Sequence, residues 1–189
     1  EEARQKYLQL IEAEQARRKL FEEGLEPKFF EDPPDHVRLR LEAIGKLRQN
    51  DPAGAAALLA QAEPVTPIVA CQLNGVSHEL VRDADDVFGT VIEVLARGNY
   101  YWLPLEQTVS LSLKAPRFPR DLLWRPAQIE TTVAVGDGFL PAVYPGSHTS
   151  SDDDIKPGRK PDSSAHQAAP VIGPAARSPL AGAQAPALL

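Results

Sequence analysis

The sequence predicts an α+β fold, with helices gathered first and a mostly antiparallel sheet with one helix after them. Three observations carry that reading. Up to about residue 63, apolar residues recur at helical spacing. Past Pro64 and Pro67 they fall instead in short runs rich in β-branched and aromatic types, the composition of strands. Turn-forming pairs, Asn74-Gly75 foremost, separate such runs at hairpin distance. Helices followed by strands, rather than alternating with them, mark α+β. The expected organisation is a helical lobe over 1–63, an α+β domain over 64–162, and a disordered Ala/Pro-rich tail over 163–189.

The first helix runs from about Glu2 to Glu23. Tyr7, Leu10, Ile11 and Phe21 recur at its period, and Gly24 can end it in a left-handed conformation. Residues 26–35 form a loop that Phe29 and Phe30 anchor to the core. A second helix starts near Pro34, since Pro suits a first turn, and carries Val37, Leu41, Ile44 and Leu47 on one face. Asp51-Pro52 repeats the start signal, a capping side chain followed by Pro, and opens a third helix, "AGAAALLAQAE". The small residues between these two short helices permit close approach, so the pair resembles one tetratricopeptide-like hairpin, a single unit with no period behind it.

"IVACQLNGVSHELV" reads as a hairpin turning at Asn74-Gly75. "DADDVFGTVIEVLARG" reads as a helix capped by Asp83 or Asp85, with Phe88, Val91, Ile92 and Leu95 inward and Gly98 at its end. Three strand-like segments follow, "YYWLPL", "TVSLSLKAP" and "QIETTVAVGDGFLPAVYP", the last turning at Gly136-Asp137-Gly138. Successive strand side chains face opposite ways, so Tyr100 and Trp102 share one face and Tyr101 takes the other. A strand with two well-filled faces is covered on both sides, here by the preceding helix and the helical lobe, which makes the three rings packing elements.

The composition excludes several function classes. A net charge of −6 with no concentrated Lys/Arg stretch argues against a nucleic-acid partner. No apolar run approaches the roughly 20 residues a bilayer demands, so no membrane association is expected. A signal peptide is not visible, and the lone Cys71, read as a small buried hydrophobe, allows no internal disulfide; a cytoplasmic location follows as the expectation. The sequence holds no Met and opens inside a helix, so it reads as a piece of a longer chain.

Catalytic chemistry is not visible either. If Asp83 opened a calcium loop, its fifth, sixth and twelfth positions would need a ligand, Gly and Glu; they hold Val87, Phe88 and Val94. Capping is the better role for Asp83, Asp85 and Asp86, and Asp152 to Asp154 read as a solvated loop. His36, His78, His148 and His166 lie on unrelated elements at no metal-ligand spacing, so neither metal nor cofactor is expected. Nucleophile-elbow, phosphate-loop and dinucleotide motifs are absent. The remaining enzymatic reading is a small hydrolase or metal-dependent enzyme built from Asp83, Asp85, Asp121 and His78. A protein-binding reading draws on Trp124, flanked by Arg120, Asp121 and Arg125, since an aromatic beside charged groups can clamp a partner segment.

Three stretches taken in order carry a family resemblance: Asp83 to Gln107, "DADDVFGTVIEVLARGNYYWLPLEQ"; Pro119 to Gln128, "PRDLLWRPAQ"; and Tyr144 to Ser147, "YPGS". They resemble the ImpE/TagJ family, also called SciE-type, accessory components of bacterial type VI secretion systems. The matching positions are Asp83, Asp85, Gly89, Gly98, Tyr100 to Trp102, Pro104, Asp121, Trp124, Tyr144 and Gly146. Val87 departs from the family pattern where a basic residue is expected, and Leu80 where many members have Trp. The sequence beyond Asp162 departs as well, where further strands are expected. The resemblance implies a non-enzymatic cytoplasmic adaptor. Its expected partners are the contractile sheath's small subunit, bound through a short helix, and the sheath-recycling ATPase. Tyr101, Trp102 and Trp124 are the expected partner contacts, and the other matching positions are expected to be structural.

Overall fold

The structure, a computed structural model, describes residues 2–145, with side chains from Arg4 onward. Gly146 and the tail expected to be disordered, 163–189, lie outside the described residues. The α+β class holds. Among the described residues three helices, α1 (Glu2–Glu22), α2 (Asp35–Arg48) and α3 (Pro52–Ala62), precede the strands. The strands are β1 (Cys71–Leu73), β2 (Val76–His78), β3 (Val91–Ala96), β4 (Asn99–Pro104), β5 (Thr108–Leu113), β6 (Trp124–Thr131) and β7 (Val135–Pro141). β1 and β2 form a small hairpin; the other five make one antiparallel sheet in the order β4-β3-β7-β6-β5.

The helix boundaries follow the local signals. Gly24 adopts φ +82°, and Gly24 and Leu25 both donate backbone N–H bonds to the Lys19 carbonyl, satisfying acceptors that α1 leaves open. Asp51 caps α3 by accepting the Gly54 N–H at 2.9 Å. Asn74 and Gly75 have φ of +50° and +84°, the two positive angles of a type I′ turn, so the β1–β2 hairpin forms where its dipeptide predicts.

The β3–β4 half of the sheet is buried on both faces. On one, Leu10, Ala13 and Leu20 of α1 meet Leu95, Tyr100 and Trp102, with α2 and α3 packed behind. On the other, Ile92, Val94 and Leu103 meet Ile129 and Val81, with Phe30, Cys71 and Leu73 packed over them. Each fully buried Leu, Ile or Val contributes roughly 1.5–3 kcal/mol. The loop before α2 closes the outer edge of β4: Lys28 N–H donates to the Tyr100 carbonyl at 2.9 Å, and Trp102 N–H to the Lys28 carbonyl at 3.0 Å.

Three sequence expectations are corrected here. No helix covers residues 83–98: the chain turns through 84–90 and then enters β3. Gly89, at φ +53°, breaks any helix there, and Val91, Ile92 and Val94 suit a strand. Arg97 and Gly98, both at positive φ, form the tight turn to β4, so the cover of that strand is α1 and the Phe30 loop rather than a preceding helix.

The β6–β7 turn lies at residues 132–134, stapled by Thr131 Oγ1 accepting the Ala134 N–H at 2.9 Å. Gly136 and Gly138 instead sit inside β7, opposite Ile129 and Ala127. A Cβ at Gly138 would come within 3.1 Å of Ile129 Cδ1 and 3.2 Å of Val94 Cγ1, so close packing rather than turning requires that glycine. On α1, finally, Tyr7 and Ile11 face solvent, 41% and 46% exposed.

Gly89 supplies the first prediction. A side chain there would have its Cβ 2.5 Å from the Arg40 guanidinium, which is buried and donates to the Asp86 carbonyl and Thr66 Oγ1. Gly89→Ala adds that collision to a strained positive φ, so urea unfolding is expected to show a loss of about 1–3 kcal/mol.

Candidate functional site

β4 places the three consecutive aromatics, and its period of two divides them. Tyr100 and Trp102 point into the α1 side of the sheet and are 2% and 0% exposed. Tyr101 points the other way, half-buried, stacked on Phe30 with ring centroids 4.6 Å apart. The two faces belong to separate clusters, so the sheet divides Tyr101 from Trp102 and Trp124. Trp124 opens β6 and packs, partly exposed, at the margin of the α1 cluster.

Beneath these rings lies a buried polar chain. Trp102 Nε1–H donates to the Tyr100 hydroxyl at 2.5 Å, and that hydroxyl donates to Glu93. Glu93, fully buried in β3, also receives Arg17 of α1 through both carboxylate oxygens, at 2.9 and 3.0 Å. Arg17 reaches the Val143 carbonyl at 2.8 Å and Glu14 at 3.1 Å, while Trp124 Nε1–H donates to the other Glu14 oxygen at 2.9 Å. Burial, the largest single influence, opposes the Arg17 charge, but Glu93, with Glu14 and Tyr100, together hold the guanidinium above its ordinary pKa. Burial first, and Glu93 second, push the Tyr100 hydroxyl well above its usual value. With the carboxylate and its partners out of solvent, this network is a clamp between α1 and the sheet.

The carboxylates of the enzymatic reading are engaged by the backbone. Asp83 accepts the Asp85 N–H at 2.9 Å and the Tyr144 hydroxyl; Asp85 accepts the Val87 N–H at 2.8 Å. The helix that Asp83 or Asp85 is expected to cap is absent, and both carboxylates hold N–H groups of the 84–90 turn instead. Asp121 accepts the N–H groups of Arg117 and Phe118, at 2.8 and 3.1 Å, and Arg120 Nε at 3.3 Å. His78 stands on the separate β1–β2 hairpin, paired with Cys71. Among the described residues no three His, Cys, Asp or Glu gather as a metal-holding group. Gly98 shapes the β3–β4 turn, and Pro104 pairs with Val91 at the far end of β4.

Asp121 gives a pH prediction. Burial, the largest single influence, pushes its carboxyl up, but the N–H groups of Arg117 and Phe118, with Arg120, together hold it below the usual carboxylate range. Its stabilising contribution is therefore full above about pH 4, the ordinary unfolded value, and is lost as pH falls through the folded one. Asp121→Asn is expected to flatten the acid side of the stability profile, read from urea midpoints at pH 7, 4 and 3.

A family model described as ImpE protein matches residues 75–189, more than half of the chain. The type VI secretion system accessory component TagJ of Pseudomonas aeruginosa is 33% identical over 159 residues, covering 82% of this chain and 56% of that protein. The chain thus spans little more than half the length of this curated relative. A crystal structure of a protein from Vibrio parahaemolyticus aligns with a TM-score of 0.80 at 23% identity, over 89% of this chain and 64% of that one, a likeness of fold. The motif positions from Asp83 to Tyr144 fall within the matched span, and the chain belongs to the ImpE family.

Proposed function

We propose that this chain serves as a non-enzymatic, cytoplasmic accessory protein of a bacterial type VI secretion system. In this reading it binds a helix of the contractile sheath's small subunit and is linked to sheath assembly or recycling, with the recycling ATPase as a further partner. Family membership, with a relative named as an accessory component, is the observation that carries the reading. The engagement of Asp83, Asp85 and Asp121 by backbone N–H groups supports it, because carboxylates so used are poor candidates for acid–base chemistry. No described helix is long and apolar enough to cross a membrane.

Paired helices present grooves that accept an amphipathic helix through anchors at i, i+3/i+4 and i+7, and the α2–α3 hairpin is the tetratricopeptide-like part of this proposal. Of the rings expected to touch the partner, Trp124 is the one at the margin of the α1 cluster; Trp102 supports that face from beneath, and Tyr101 lies across the sheet. The test is a fluorescence-anisotropy titration of the chain against a labelled peptide of the sheath small subunit's N-terminal helix. Saturable binding is expected; a flat titration with cooperatively folded protein removes sheath binding.

A further inference from the structure

Between the 3-10 turn Glu63–Val65 and the approach to β3 at Gly89 and Thr90 lies a cavity of about 360 Å³. Its wall includes two polar side chains that are almost wholly buried, Arg40 of α2 at 2% exposure and Thr90 at 3%. Each holds an atom with no hydrogen-bond partner, Arg40 Nε and Thr90 Oγ1. A buried polar atom left unpaired costs free energy, so two of them on one cavity wall mark a place where a bound group supplies the missing contacts.

The charges around the cavity narrow what that group is. Arg82, on the same wall, is already neutralised: it lies 2.6 Å from the Asp86 carboxylate and 3.5 Å from that of Glu63. Arg40 has no carboxylate in ion-pair contact among the described residues. Its Nη1 donates to the Asp86 carbonyl at 2.5 Å and its Nη2 to Thr66 Oγ1 at 3.2 Å, both neutral acceptors. Burial, the largest influence, lowers the guanidinium pKa, and the nearby charges of Glu63, Asp86 and Asp85, opposed by Arg82, do not restore it. One buried cation without a carboxylate in contact calls for one negative charge, and the Glu63 carboxylate beside the cavity disfavours a second. The outer wall is apolar: Pro67 lines it with Leu80 and Ile68, which are 50% and 80% exposed. Apolar walls with a few convergent polar groups are the pattern of a small-ligand site.

We propose that this cavity binds a monocarboxylate on a small branched apolar body, its oxygens accepting Arg40 Nε–H and Thr90 Oγ1–H and its hydrocarbon covering Ile68 and Leu80. A free acid and the C-terminal Leu of a protein chain present the same atoms, and the test separates them. The site goes beyond the accessory reading and does not depend on it.

The test follows the amide resonances of the isotopically labelled full chain at neutral pH as isocaproate is added. Saturable shifts at Thr66, Ile68, Leu80, Gly89 and Thr90 are expected, with a Kd on the order of 1 mM, ordinary for a ligand of so few atoms. Isocaproamide, the neutral isostere, is expected to bind about tenfold more weakly, because hydrogen bonds to an ionised group are the stronger ones. Inorganic phosphate is expected to bind no better than the amide. Thr90→Val keeps the side chain's shape and removes only the unpartnered hydroxyl, so it is expected to weaken isocaproate several-fold while the melting temperature stays level or rises. Arg40→Met is expected to abolish binding, with a cooperative melt showing that the variant folds; where it does not fold, Thr90→Val decides. Equal binding of acid and amide, shifts confined to other residues, or binding untouched by Thr90→Val overturns the proposal. Phosphate binding tighter than isocaproate overturns it as well. A short peptide ending in Leu with a free carboxylate, beside its amidated form, distinguishes the sources. Tighter binding of the free-ended peptide than of isocaproate supports the site and assigns it a protein terminus; the reverse order supports it and assigns a small acid.

Discussion

Glu93→Ala is expected to lower the unfolding free energy by about 3–5 kcal/mol, the cost of leaving a buried charge without its partner. Arg17 would keep the Val143 carbonyl and the partly buried Glu14, but its bidentate partner in β3 would be gone, and the Tyr100 hydroxyl would lose its acceptor. Urea unfolding at neutral pH measures the loss. Replacing both charges with apolar residues, Arg17→Met with Glu93→Leu, is expected to recover most of it. Taking two charges out of water costs nearly as much as their attraction returns. A pair that proves worth little when deleted together, yet much when deleted singly, is specifying how α1 seats on the sheet.

Trp102→Ala is the second large effect, expected at about 3–5 kcal/mol from lost burial and the cavity left behind. The ring is fully buried, 5.7 Å from Phe88 between centroids, and its N–H begins the polar chain to Glu93. Against a typical stability of about 5–15 kcal/mol, such a loss leaves a substantial unfolded fraction. Partner binding measured per folded molecule is expected to stay unchanged, whereas Trp124→Ala, at the margin, is expected to weaken binding with a smaller cost in stability. Circular-dichroism melts run beside each titration separate the two effects.

What could be read from the sequence was local. Asp51 followed by Pro52 opened α3 as expected, Asn74-Gly75 turned the small hairpin, and strand alternation correctly assigned Tyr100 and Trp102 to one face. β3 was misread because a strand buried on both faces has no alternation: "VIEVLA" is a nearly continuous apolar run that a buried helix shares. Gly89, inside the supposed helix, was the available warning. The Gly136 and Gly138 pair looked like a turn because a glycine required by close packing and one required by φ are the same letter.

The site was less legible than the fold. Arg17 and Glu93 lie 76 residues apart and meet only because α1 crosses β3, so no spacing rule announces them. On α1, the apolar residues at helical spacing spread wider than the face the sheet covers, so Tyr7 and Ile11 lie outside the core.

The measurement that tests the central claim most directly is sedimentation velocity of the chain with the intact sheath small subunit, and with the same subunit lacking its N-terminal helix. A complex with the intact subunit alone is the predicted result. No complex with either form, or equal complexes with both, contradicts the claim that this chain acts by binding that helix.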